Sequence, residues 1–265
     1  PSMPSKNILI PLITPLNNNR SVCEDSVRAL IDRSKNHAAG YIPCLTSGEG
    51  WKLTEQQWTE MLQYTRLHAP SHDVIVGIEK ATTAEVVRYA KIAANSLANG
   101  IIITSPFGES ITQQEIYQHY KEIHDISGLK IYIYNESELS KNDISTETLL
   151  EIAALQNVVG IKESSNSTEF QSIRNHLKSQ GIRIYQGWED NIVDDKLADG
   201  NICSLSNLYP ELCLEAATKP SENLKLEIEN LCKDHKIFSS NWYAHIKDYL
   251  SETGVIASDY CISAV

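Results

Sequence analysis

One lysine stands at the place where a buried strand is expected to end. Lys162 follows the apolar run 158–161, which reads VVGI. A buried ammonium is costly, so a lysine held there loses its proton more easily, and the neutral amine is a nucleophile. In the alternative interpretation, the stem of the lysine lines the strand end while its ammonium reaches solvent. For a single lysine taken alone, this second interpretation is the more ordinary one.

Other predicted strand ends also carry polar side chains. Tyr134 ends the preceding apolar run, where a tyrosine is by default a packed aromatic with a hydrogen-bonded hydroxyl. Thr46 and Ser47 follow the second run. These residue types at that place are typical of a turn or a helix cap. Gly48 allows a close approach of backbone to ligand, or serves that turn.

Eight apolar runs rich in β-branched residues alternate with amphipathic stretches along the chain. Strands are predicted at 7–13, 40–45, 73–78, 100–104, 129–134, 158–162, 182–186 and 201–205, with helices at 24–37, 54–68, 82–97, 112–126, 145–155, 167–179 and 190–198. Continuous apolar strands separated by helices are typical of a parallel sheet covered on both faces. Eight units predict an α/β fold of the closed (β/α)₈ TIM barrel type, and no G-x-G-x-x-G follows the first strand to favour an open sheet.

The remaining length exceeds what a barrel needs for its last helix. Helical patterns continue at 208–218, 221–235 and 239–253 of the 265 residues. We therefore predict a barrel over residues 1–206 and additional C-terminal helices over 207–265, packed on the barrel as a single structural unit. Thr54 and Thr112 are predicted helix N-caps, and Glu115 completes a capping box with Thr112.

Charge and cysteine usage exclude several classes of function. The net charge of −11 argues against nucleic acid and anionic membranes as partners. The apolar segment 8–16 is short and contains two prolines, which predicts neither a signal peptide nor a membrane span. The six cysteines lack C-x-x-C and metal-ligand spacing, which indicates free thiols in a reducing cytoplasm. No His/Asp/Glu set converges at the strand ends, so no metal is expected.

Three motifs in order resemble the pyruvate-dependent class I aldolases, the family that includes dihydrodipicolinate synthase and N-acetylneuraminate lyase. The family motif G-[ST]-[ST]-G-E-x-x-x-L-[TS] corresponds to LTSGEGWKLT at 45–54, with Leu45 in place of the leading glycine. Y-N-x-P corresponds to YNES at 134–137, and G-[IV]-K-[DE]-[SA]-[ST] to GIKESS at 160–165. Each motif alone is weak, but the three together are specific.

The resemblance implies a lyase or synthase that needs no metal and no organic cofactor. Lys162 would form a Schiff base with pyruvate or a related 2-oxo acid, Tyr134 would shuttle protons, and Thr46 would act with it in catalysis. The implied substrate-binding residues are Ser47, Gly48, Gly187 and Cys203; Cys203 is equally a small core residue. The nearest named activity is 4-hydroxy-tetrahydrodipicolinate synthase, and the family pattern implies a homodimer or homotetramer.

The residues for the second substrate depart from the family pattern. The synthases carry Tyr-Tyr after the proline of the fourth strand end, where the second tyrosine reaches a neighbouring subunit's site; here the pair is Phe107-Gly108. They also carry an arginine shortly after Y-N-x-P, where this chain has Glu136 and Glu138. We expect Phe107 and Glu136 to contact the second substrate, and a neutral or cationic aldehyde to suit better than aspartate semialdehyde. The alternatives are an aldolase of the same family for another aldehyde or sugar acid, and a non-catalytic binder of 2-oxo acids.

Overall fold

Eight parallel strands pair in sequence order, and the last pairs with the first to close a barrel. The computed structural model describes residues 5–164 and 167–262. Its strands are β1 (Asn7–Pro11), β2 (Gly40–Ile42), β3 (Asp73–Ile78), β4 (Gly100–Ile103), β5 (Lys130–Tyr134), β6 (Val158–Glu163), β7 (Arg183–Gln186) and β8 (Gly200–Asn201). The predicted TIM barrel is therefore confirmed.

Alternate strand residues face two different cores, as the period of a strand requires. Leu9 and Ile102 belong to a cluster inside the barrel, while their sequence neighbours Ile10 and Ile101 belong to the larger core under the helices. Both faces of each strand are thus buried, which accounts for the unbroken apolar runs. The strand ends consequently carry the first polar side chains that share the mouth of the barrel.

Over the residues that the structure describes, nine helices correspond to predicted ones and follow the predicted order, whereas a short helix after β5 has no predicted counterpart. The helices are α1 (Glu24–Asp32), α2 (Glu55–His68), α3 (Thr83–Asn95), α4 (Gln113–Ser127), α5 (Ser137–Ser140), α6 (Thr146–Ala153), α7 (Thr168–Ser179), α8 (Pro210–Thr218), α9 (Glu222–Asp234) and α10 (Trp242–Glu252). Both predicted caps are confirmed, because Thr54 and Thr112 each accept from the backbone three residues on, in capping boxes with Gln57 and Glu115. Across residues 5–164 and 167–262, no helix has the length and apolar character needed to cross a bilayer.

The helix predicted over 190–198 is wrong. The chain there forms only a single 3₁₀ turn, Glu189–Asn191, before irregular structure. The Asp195 carboxylate accepts from Arg174 on α7, from Gln186 on β7 and from the Ala198 backbone N–H. These hydrogen bonds hold the segment in turns. They stabilise it more than the local helix propensity would stabilise a helix.

The C-terminal helices divide into a barrel helix and two further ones. Helix α8 falls in the predicted C-terminal segment, yet it packs against β1 and β8 and completes the outer ring of the barrel. The added part therefore begins after α8. Helix α9 contacts the turn after β7, and α10 contacts the turn Thr46–Gly48 after β2. These contacts support the proposal that the barrel and the C-terminal helices form one structural unit.

Candidate active site

Lys162 is buried inside the mouth of the barrel. It lies on β6 beside Tyr134 of β5, and its side chain is only 8% exposed. Its Nζ donates to the Tyr134 hydroxyl at 3.3 Å and lies 4.5 Å from the centre of that ring. Burial lowers the pKa of Lys162, against the opposing charges of Glu189, Glu136 and Glu79. The ammonium does not reach solvent as the ordinary interpretation supposed, and the amine is more readily available for attack.

Gly187 makes room for the lysine. A Cβ atom at Gly187 would lie 2.7 Å from Cε and 3.1 Å from Cγ of Lys162. Its backbone N–H donates to the Glu163 carbonyl at 2.9 Å, which holds β7 against β6 at this level. Gly187 therefore lies beside Lys162, while its contact with substrate stays a prediction.

Tyr134 is positioned as a proton donor beside the lysine. Its hydroxyl donates to Glu136 Oε2 at 3.1 Å. Burial, together with the charges of Glu136 and Glu79, raises the pKa of Tyr134 well above its ordinary value, while a hydrogen bond with the Thr46 side chain opposes the shift. The phenol consequently keeps its proton at neutral pH, and its oxygen lies beside the Lys162 nitrogen.

The turn after β2 places the two predicted hydroxyls at the barrel mouth. Thr46–Gly48 form a 3₁₀ turn. Thr46 Oγ1 donates to Glu79 Oε2 at 2.7 Å, and Ser47 Oγ accepts from the Trp242 indole N–H at 3.3 Å. A Cβ atom at Gly48 would lie 2.7 Å from the Leu12 carbonyl oxygen, so packing against the end of β1 already requires glycine there.

Glu79 is a functional candidate that sequence reasoning missed. It directly follows β3 and is 3% exposed. Burial raises its pKa to about 7, although the bond from Thr46 and the charge of Lys162 oppose the shift. The signal that would have found it is an acid immediately after an apolar strand run.

Glu189 is a second missed acid, two residues beyond Gly187. It is 6% exposed and accepts from Ser204 Oγ at 2.9 Å. Burial raises the pKa of Glu189, while bonds from the backbone and Ser204 oppose the change. Carboxylate charges oppose the lowering of the Lys162 pKa, and among them that of Glu189 has the largest effect.

Two other predicted binding residues, Cys203 and Phe107, have different surroundings. Cys203 is buried, and its Sγ lies 3.8 Å from Cys213 Sγ; that contact and burial raise the pKa of Cys203 well above its ordinary value. It is therefore a neutral, small side chain in the neighbourhood of Lys162. Phe107 is half-buried, and its backbone N–H donates to Ala81 in the loop after β3. Its contact with a second substrate stays a prediction.

The described part of the chain offers no cluster of three or more His, Cys, Asp or Glu side chains that suits a metal ion. The charged groups around Lys162 are carboxyls, from Glu79, Glu136 and Glu189. Residue 165, the last of the GIKESS motif, lies outside the described residues. The site thus combines a buried amine, a neutral phenol and several buried acids.

Comparison with known proteins agrees with this geometry. The model of the Dihydrodipicolinate synthetase family matches residues 4–264, and the chain belongs to that family. The chain is 29% identical over 215 residues to the 4-hydroxy-tetrahydrodipicolinate synthase of Gluconacetobacter diazotrophicus, covering 79% of this chain and 72% of the relative. It is 27% identical over 273 residues to the 4-hydroxy-tetrahydrodipicolinate synthase 2 of Clostridium acetobutylicum, covering 97% and 93%.

Solved structures share the fold. The dihydrodipicolinate synthase of Bacteroides thetaiotaomicron superposes with a TM-score of 0.90 at 24% identity, over 100% of this chain and 94% of that one. Family membership makes the chain an enzyme of the class I aldolase type, which forms or cleaves carbon–carbon bonds. Its nearest named activity is that of the 4-hydroxy-tetrahydrodipicolinate synthases.

Proposed function

We propose that this enzyme joins a 2-oxo acid, with pyruvate as the first candidate, to an aldehyde through an imine on Lys162, or cleaves the corresponding product. The observation that carries the proposal is the buried Lys162 nitrogen, 3.3 Å from the Tyr134 hydroxyl. Burial favours the neutral amine, and the adjacent phenol supplies the proton that the leaving oxygen needs. Lys162 thus provides the nucleophile and Tyr134 provides the proton, so both groups are needed.

The reaction follows from these two groups. The Lys162 nitrogen attacks C2 of the 2-oxo acid, the C–N bond forms, and the former carbonyl oxygen leaves as water. The resulting iminium withdraws electrons and acidifies the C3 methyl group. Loss of a C3 proton gives an enamine, whose C3 attacks the aldehyde carbon. The C=O π bond opens and its oxygen takes up a proton, and water then hydrolyses the new iminium to release the product and free Lys162. We assign the carboxylate of the 2-oxo acid to the turn of Thr46 and Ser47, with Gly48, Gly187 and Cys203 lining the pocket.

Borohydride trapping tests the imine. The wild type incubated with pyruvate and reduced should gain the mass of one reduced adduct, and peptide mapping should place it on Lys162. Lys162→Arg should show no adduct. Lys80→Arg is a matched control, because Lys80 lies over the Tyr89 ring rather than beside Tyr134. Absence of any adduct over a panel of 2-oxo acids would refute the proposal.

The acids at the barrel mouth guide the choice of second substrate. Glu79, Glu136 and Glu189 surround Lys162, and residues 135–145 contain no arginine to bind a carboxylate. We propose that the acceptor is a neutral polyhydroxy aldehyde or a cationic aldehyde, with Glu136 and Phe107 among its contacts. This favours an aldolase of the family with a different acceptor over strict synthase activity.

A turnover screen separates these acceptors. Aspartate semialdehyde, neutral sugar aldehydes and N-acetylmannosamine are compared at equal concentration with pyruvate. Faster turnover of the neutral aldehydes is expected, since they bring no carboxylate near the buried acids. A strong preference for aspartate semialdehyde would overturn the acceptor proposal and support the activity of the named relatives. Imine formation without turnover of any aldehyde would favour the non-catalytic binder.

We further propose that the enzyme is a cytoplasmic homodimer or homotetramer. All six cysteines carry free thiols, which suits a reducing compartment. Light scattering on the purified protein measures its mass, for which a dimer or tetramer is expected; a monomer at micromolar concentration would contradict the assembly.

A further inference from the structure

We propose that Glu79 is the far end of a proton path that runs through the Thr46 and Tyr134 hydroxyls to the Lys162 nitrogen. This inference rests on the proposed imine and adds a group that the proposed function does not need. Glu79 contacts the reacting atoms only through the two hydroxyls, so it is a positioning and proton-storing residue.

The path is continuous in space although its members come from four strand ends. Thr46 Oγ1 lies 2.7 Å from Glu79 Oε2, and the Thr46 side chain also hydrogen-bonds Tyr134. The Tyr134 hydroxyl lies 3.3 Å from Lys162 Nζ. Each hydroxyl can accept a hydrogen bond on one side and donate one on the other. When Glu79 is protonated, its O–H can donate to Thr46, and the Thr46 hydroxyl is then free to donate to Tyr134.

The protein closes the far end of this path against solvent. Glu79 is 3% exposed. The turn that follows Thr46 lies directly over it, since a Cβ atom at Gly50 would lie 2.6 Å from Glu79 Oε1 and 2.0 Å from the Cys44 carbonyl oxygen. A proton that reaches Glu79 therefore stays within the site and is not exchanged freely with water.

Burial, more than the charges that face it, brings the pKa of Glu79 close to neutral pH. Burial raises its pKa to about 7, Glu136 adds to the rise, and Lys162 lowers it. Two further titratable groups near it are the Tyr134 phenol and the Cys44 thiol, whose pKa values are both raised well above their ordinary values. Near neutral pH, Glu79 is therefore the group on this path that can both give and take a proton.

The proton balance of imine formation fits this path. The amine adds to C2 of the 2-oxo acid, and the carbinolamine hydroxyl leaves as water with a proton from Tyr134. Thr46 restores the Tyr134 proton and Glu79 restores that of Thr46, so the Glu79 carboxylate balances the iminium charge. When C3 of the iminium loses a proton to give the enamine, the same path returns that proton to Glu79.

Glu136 is the competing proton acceptor, because it also accepts from Tyr134, at 3.1 Å. It is half-buried, in contrast to Glu79, so a proton on Glu136 exchanges with solvent. The two roles are separated by the pH dependence of the rate: loss of Glu79 removes the titration of the stored proton, whereas loss of Glu136 leaves it in place.

The test is the rate of imine formation between pH 5.5 and 9, measured by quenching mixtures with pyruvate into borohydride after set times. The pH profile of the wild-type rate should contain a limb that falls as the pH rises through about 7, since protonated Glu79 is the proton donor. Glu79→Gln should form the same adduct about a hundredfold more slowly, because a proton donor typically contributes that much, and without the limb. Glu79→Asp should retain the limb, and so should Glu136→Gln.

Two outcomes are kept apart by the same assay. If the wild type forms no adduct, the proposed function fails; if Glu79→Gln forms it at the wild-type rate with the limb intact, only the proton path fails. Thermal unfolding followed by circular dichroism checks that the variant folds. Should Glu79→Gln not fold, Thr46→Val interrupts the path at its centre and should also lose the limb, and an unchanged profile there would overturn the inference.

Discussion

Two buried glutamates lie on either side of the turn after β2, and their surroundings are opposite. Glu49 is fully buried and pairs with Lys247 of α10 at 2.7 Å, and its other oxygen accepts from the Ile262 backbone N–H at 2.8 Å. Glu79 accepts from the Thr46 hydroxyl, and burial outweighs the charge of Lys162 in its pKa. The first acid is held as one half of an ion pair, whereas the second is left to titrate near pH 7.

The difference between the two glutamates shows that the C-terminal helices help to hold the site in place. Helix α10 supplies Lys247 to Glu49 and the Trp242 indole to Ser47. Lys247 also donates to the Tyr260 carbonyl at 2.8 Å, which ties the following segment to the same ion pair. The turn that holds Thr46 is thus braced from outside the barrel, while the titrating acid lies on its inner side.

Among the predicted changes in stability, removal of the Lys247 ammonium should have the largest effect. Lys247→Met leaves the Glu49 charge buried without its partner, which should lower the free energy of unfolding by about 3–5 kcal/mol. Urea denaturation measures this loss. Lys233→Met, at an exposed position on α9, is the matched control and should change stability little.

The double variant Glu49→Gln/Lys247→Met completes that experiment. Because both charges are gone, much of the lost stability should return. A loss below about 1 kcal/mol in Lys247→Met would show that the pair behaves like a surface salt bridge, and the contrast between the two glutamates would disappear.

The pH dependence of stability should reveal Glu79. Its pKa rises from an ordinary 4.5 to about 7 on folding, so between these values the folded state binds more protons than the unfolded state. The Glu79 contribution is then fully present below pH 4.5 and is lost as the pH rises through 7. Glu79→Gln removes this loss, which amounts to about 3 kcal/mol at most.

Urea midpoints of wild type and Glu79→Gln between pH 4 and 8.5 measure that difference. The two curves should diverge as the pH rises, with the variant losing less stability. Glu60→Gln, an acid on α2 away from the barrel mouth, serves as the control. Parallel curves for wild type and Glu79→Gln would mean that Glu79 titrates as an ordinary acid.

The smallest effect is expected at the indole. Trp242→Phe removes the hydrogen bond to Ser47 Oγ, whose net worth is about 0.5–1.5 kcal/mol. If this bond orients Ser47 for the 2-oxo acid carboxylate, pyruvate should bind several-fold more weakly, with little change in the rate of imine formation at saturation. Titration calorimetry with pyruvate measures the affinity; Tyr249→Phe on the same helix is the control. An unchanged affinity would mean that α10 supports the site only through the ion pair of Lys247 with Glu49.

The sequence by itself determined the barrel and the centre of its chemistry. Parallel strands buried on both faces must be continuous apolar runs, so eight runs could be counted, and the first polar residues after them had to share one mouth. Lys162, Tyr134 and Thr46 could be placed together on that basis. The family motifs then assigned roles that local pattern alone left open.

The tertiary structure decided which polar groups are buried and what they touch. Glu49 and Lys247 are 198 positions apart, and Asp195 overrides a helical pattern through Arg174 on another element. Glu79 has no local sequence feature that distinguishes an ordinary carboxylate from one with a pKa of about 7. Desolvation and charge pairing depend on the whole surroundings of an atom, and only the folded chain brings those surroundings together.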